Sequence, residues 1–97
     1  MQMALFLRHH CIETEIRRQY NRSLSAYFKA NDAIAKRKTE DEIELLHQAL
    51  TVLDFGFLRS CFPELMGGTD ANVTICAGPG NRVTVKINGE PIDARYI

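Results

Sequence analysis

His9-His10-Cys11, with Glu13 one helical turn after His9, is the densest group of chemically capable side chains in the chain. Residues four apart are neighbours on a helix, so His9 and Glu13 can approach one metal ion. Zinc would need further ligands from elsewhere, for which His47, Cys61 and Cys76 are no more than candidates; no HExxH and no paired CxxC occurs. His9 also falls on an apolar stripe, where a hydrogen-bonded core or interface histidine is the commoner occupant. No metal ligand is assigned.

Cys11 beside His10 does not make a nucleophile and its base, because adjacent helical residues point about 100° apart. Glu40, Glu44 and Asp54 lie on a polar helix face, and nothing divides them into acid and base. Gly78-Pro79-Gly80 is followed by neither Lys-Ser/Thr nor a helix, so it reads as a turn and not as a phosphate loop. No catalytic residue and no cofactor is assigned, and the chain reads as a non-enzyme.

The charged residues are more informative. The chain carries 12 basic and 12 acidic residues and no net charge, which argues against a general polyanion binder. The charges nevertheless separate along its length. Up to Lys38 eight basic residues face only Glu13, Glu15 and Asp32. From Thr39 to Met66 six acids face only Arg59. Arg18, Arg22, Lys29 and Lys36 fall on one stripe, opposite an apolar face, and with Arg8 they are the candidate contacts to nucleic-acid phosphates.

The elements that must carry these residues follow from periodicity. Leu5, His9, Ile12, Ile16, Tyr20, Leu24, Tyr27 and Ile34 recur at helical spacing. Asn31-Asp32 is the expected break, beyond which Lys36 would leave the stripe. Thr39-Glu40-Asp41-Glu42 reads as the capping box of a second helix, with Lys36-Arg37-Lys38 suiting the end of the first. Ile43, Leu46, Leu50, Leu53, Phe57 and Cys61 give the second helix its apolar face, ending at Phe62-Pro63.

After Gly67-Gly68 the composition turns to glycine and β-branched residues. Strands are expected at about Asn72–Ala77, Arg82–Ile87 and Pro91–Tyr96, with Asn88-Gly89 as a type I′ turn. That turn sets Ile87 opposite Glu90 and Val85 opposite Ile92. The loop at Gly78-Pro79-Gly80-Asn81 must hold an odd number of residues to keep the apolar sets on one face. The expected fold is α+β: an N-terminal hairpin of two long amphipathic helices on a C-terminal three-stranded antiparallel meander. Residues 1–97 form one domain, helical to 66 and stranded from 69.

Three widely spaced cysteines, no signal-peptide pattern and no run near the ~18 apolar residues of a membrane span point to a cytoplasmic protein with reduced thiols. Leu5, Phe6, Phe28 and Phe55 sit at or beyond the edges of the apolar stripes. Such leftover apolar residues mark partner surfaces. The expected function is a small regulator that binds protein, as an inhibitor, adaptor or anti-repressor, and forms a homodimer. Leu5, Phe6, Phe28 and Phe55 would anchor the interface, and Arg18, Arg22 and Lys29 would steer an acidic partner. The alternative is a nucleic-acid-binding transcriptional regulator that uses the basic stripe.

Overall fold

The computed structural model describes residues 2–8, 11–66, 70–80 and 82–97. Strand β1 (Gln2–Leu7) is followed by helices α1 (Ile12–Lys29), α2 (Ala33–Val52) and α3 (Phe55–Cys61) and a single 3-10 turn (Pro63–Met66). Strands β2 (Ala71–Ala77), β3 (Val83–Ile87) and β4 (Glu90–Ile92) close the chain. The architecture is α+β, with one antiparallel sheet in the order β1-β2-β3-β4.

The sheet has four strands where three were expected, and the extra one comes first. Residues 5–7 are strand, not the start of a helix. Their exposure alternates, with Leu5 and Leu7 buried and Ala4 and Phe6 exposed, which is the period of a half-buried strand. β1 gains its partner only across some seventy positions of sequence, at β2. The register aligns apolar residues in rows, such as Met3, Ile75, Val85 and Ile92 across all four strands.

The turns behave as the sequence predicts. Asn88 and Gly89 both have positive φ, 51° and 86°, as a type I′ turn requires. Ile87 pairs with Glu90 and Val85 with Ile92. Ala77 pairs with Val83, so the preceding loop spans five residues and is odd. β4 stops at Ile92. The chain then crosses to the helices, where Tyr96 bridges Leu53.

The helix boundaries differ more. The break falls at Asn31-Asp32, as expected, but α2 starts at once, with Asp32 Oδ1 accepting from the Ala35 amide at 2.8 Å. Ala33 to Lys38 are good helix formers, so the first available cap is used. Thr39 is therefore interior, and its hydroxyl bonds back to the carbonyls of Ala35 and Lys36. Lys36, Arg37 and Lys38 lie in the first turns of α2, not at the end of α1.

The second helix is also interrupted at Leu53-Asp54. Asp54 Oδ1 accepts from the Phe57 amide at 3.0 Å and caps α3. This turn brings Phe55 and Leu58 into the core, which runs from the helices through Leu53 and Leu65 to the inner face of the sheet.

Candidate functional site

The helical hairpin is anchored at one end only. Ile12, Glu15, Ile16 and Ser23 are buried on α1, and Leu45, Leu46 and Ala49 on α2. Between Ser23 and Leu45 no residue is buried. The outer half of the hairpin therefore projects past the sheet, in a molecule 41 × 30 × 21 Å in extent. The Ser23 hydroxyl donates inward across the hairpin to Glu42 Oε2 at 3.2 Å.

A groove of about 430 Å³ runs between α1 and α2 on this projecting part. Tyr20, Leu24, Tyr27 and Phe28 line it from α1, and Ile43 and His47 from α2. The Tyr20 and His47 rings lie 6.3 Å apart at its inner end, and Phe28 packs edge-on to Tyr27 near the tip. Lys36 caps the Tyr27 ring at 5.8 Å. Glu40 and Glu44 form the α2 rim, and neither makes an ion pair among the described residues. Phe28 is 80 % exposed and Ile34, at the tip, 84 %. Burial of either would contribute about 1.5–3 kcal/mol, and the isolated chain realises little of it.

The candidate residues from sequence divide in two. Phe6 and Phe28 are at the surface, on the open face of the sheet and on the hairpin. Leu5 and Phe55 are buried at 4 % and 8 % exposure, so their side chains build the core. Their reassignment follows from β1 and from the α3 cap. Sequence reasoning missed Tyr20, Leu24, Tyr27 and Ile43 as a surface, because residues at helical spacing read as core. The signal available was the absence of enough sheet to cover two such long helices.

The basic stripe is also partly redistributed. Arg18, Arg22 and Lys29 share a shallow surface with Asn21, Ser25 and Ala26, on the flank of α1 away from the groove. Arg18 Nη1 lies 3.6 Å from Glu15 Oε2. Arg8 stacks over Phe6 at the end of β1, and Lys36 lies over the Tyr27 ring. The ion pairs of Glu13 and Glu15 are made with Arg17, Arg18 and Arg59, on α1 and α3.

Around Glu13 the chemistry is structural. Arg17 Nη2 donates to Glu13 Oε1 at 3.2 Å, and Arg59 Nη1 to Glu13 Oε2 at 2.9 Å. The bonds from Arg17 and then Arg59 hold the Glu13 carboxyl below its ordinary pKa. Cys11 is the N-cap of α1, with Sγ 2.9 Å from Thr14 Oγ1. Burial raises its pKa, but the bonds to Thr14 and the charge of Arg59 outweigh that and leave the thiol lowered. His9 and His10 lie outside the described residues, as does the metal question raised for them. Among the described residues no group of three or more His, Cys, Asp or Glu is placed to hold a metal ion. No helix among them is long and apolar enough to cross a membrane.

A protein-family model matches residues 1–86, from β1 through all the helices to Lys86 of β3. The chain belongs to that family. The family description carries no activity, and no curated protein and no solved structure matches the chain.

Proposed function

We propose that the protein is a small non-catalytic regulator, cytoplasmic, that acts by binding another protein through the outer half of its helical hairpin. The observation that carries this reading is the run from Leu24 to Glu44, in which aromatic and aliphatic side chains line a groove and none is buried. Exposed apolar surface rimmed by charge is the signature of a docking site. The groove lies between two helices, a shape that takes a third helix by its apolar face. Glu40 and Glu44 on the rim, without ion pairs among the described residues, favour a basic flank on that helix. The partner segment is thus a basic amphipathic helix. This differs from the acidic partner that Arg18, Arg22 and Lys29 alone suggest.

A second reading rests on the shallow surface of Arg18, Arg22 and Lys29. Small neighbours, Ser25 and Ala26, let a phosphate backbone approach it closely. Three cations on one helix make only a modest electrostatic footprint, so this nucleic-acid reading ranks below the first.

Two titrations separate them. A synthetic amphipathic helix of leucine and lysine should bind the wild type, and one of leucine and glutamate should not. The Glu40→Lys/Glu44→Lys variant should reverse that preference. A lysine peptide that binds both forms equally would sink the groove reading. DNA or RNA binding at low salt, lost on charge reversal of Arg18, Arg22 and Lys29, would instead support the second.

A further inference from the structure

We propose that two copies of this chain join edge to edge through β1, making one continuous antiparallel sheet. The inference is independent of the groove and stands on the two edges of the sheet, which are built differently. β4 is three residues long, contains Pro91, which lacks an amide hydrogen, and begins with Glu90. Shortness, proline and charge are the usual means by which a sheet protects an edge. β1 has none of them. Its six residues are uncharged and contain no proline. It pairs with β2 without a bulge from Gln2↔Cys76 to Leu7↔Ala71, and among the described residues it has a strand neighbour on that side only. Alternate residues of such a strand aim their N–H and C=O groups outward, as a template for another strand.

The second copy is the occupant that this edge fits by symmetry. An antiparallel pair of identical strands about a twofold axis is self-complementary, so one edge supplies both halves of the interface. The side chains also restrict the register. Leu5 and Leu7 face the core and Ala4 and Phe6 the open face. Core residues lie beside core residues only if the axis passes through a residue, Ala4 or Leu5. A slip of one would set leucines against the open face. With the axis at Leu5, Met3 lies opposite Leu7 of the second copy and Ala4 opposite its Phe6. Phe6, 46 % exposed in the single chain, then gains a neighbour.

Sedimentation of the full chain tests this, with Ala4→Lys and Thr84→Lys compared. Both positions are exposed and on the open face, but Ala4 is on the edge strand near either axis and Thr84 is on the interior strand β3. The wild type should sediment at twice the chain mass. Ala4→Lys, which brings like charges together across the axis, should weaken the dimer about tenfold or more. Thr84→Lys should leave it unchanged. Amide hydrogen exchange on the wild type should show β1 protected in the dimer and released on dilution, a readout that does not depend on any variant folding. A wild type that stays monomeric, a dimer that both lysines weaken equally, or β1 amides indifferent to dilution would overturn the proposal.

Discussion

Glu13 shows how little of a residue's role can be taken from its neighbours in sequence. Next to His9 and Cys11 it resembles a ligand, but its oxygens are taken by Arg17 one turn on and by Arg59 from α3. Its i,i+4 partner was readable from the sequence. Arg59 was not, because the break at Asp54 decides where α3 points. The lowered pKa of Glu13 has a definite sign. Its folded value lies below its unfolded value, so the stabilisation is present at neutral pH and is lost as pH falls through the folded value. Glu13→Gln should therefore cost about 1 kcal/mol or less at neutral pH. It should also flatten the acid limb of stability measured by urea denaturation from neutral to acid pH. An acid limb as steep as that of the wild type would show that the carboxylate is not held by these pairs.

At the scale of elements, local signals that agreed with tertiary context were legible and the others were not. Asn88-Gly89 gave both its turn and its register, because the flanking residues alternate in phase with the sheet. β1 was lost to a helical reading because Leu5, His9 and Ile12 also fit helical spacing, and its strand character depends on pairing with distant β2. Thr39-Glu40-Asp41-Glu42 has the form of a capping box yet lies inside α2, since Asp32 caps the helix earlier. The C-terminal segment is held mainly by its backbone. Asp54 and Ile97 amides bond the carbonyls of Arg95 and Val52, each at 2.8 Å, and the Tyr96 hydroxyl donates to the Val83 carbonyl. It thus ties the joint between α2 and α3 to β3. Deleting Ala94–Ile97 should lower stability by roughly 2–4 kcal/mol, taking about 1 kcal/mol per hydrogen bond. A melting temperature unchanged by the deletion would contradict the role given to this segment.

For the molecule as a whole, the separation of basic from acidic residues takes on a different meaning once folded. Helix capping does not explain it, for Lys36, Arg37 and Lys38 stand at the start of a helix and the acids of α2 lie beyond its first turn. The ion pairs of Glu13 and Glu15 run within α1 and to α3. The charges instead distinguish two surfaces of one projecting hairpin, acidic beside the groove and basic on the far flank of α1. The α+β class was legible because composition changes at Gly67-Gly68, and the groove was not, because burial of a helix depends on how far the sheet extends beneath it. The central claim is that the groove meets a partner in the cell. The most direct measurement places a photo-crosslinking residue at Tyr27 in the full chain, expressed in its native cell, with the same residue at Thr84 as control. The account predicts one dominant protein adduct from position 27, absent from position 84 and abolished by Leu24→Asp. Adducts that are the same from both positions, or that survive Leu24→Asp, would contradict it.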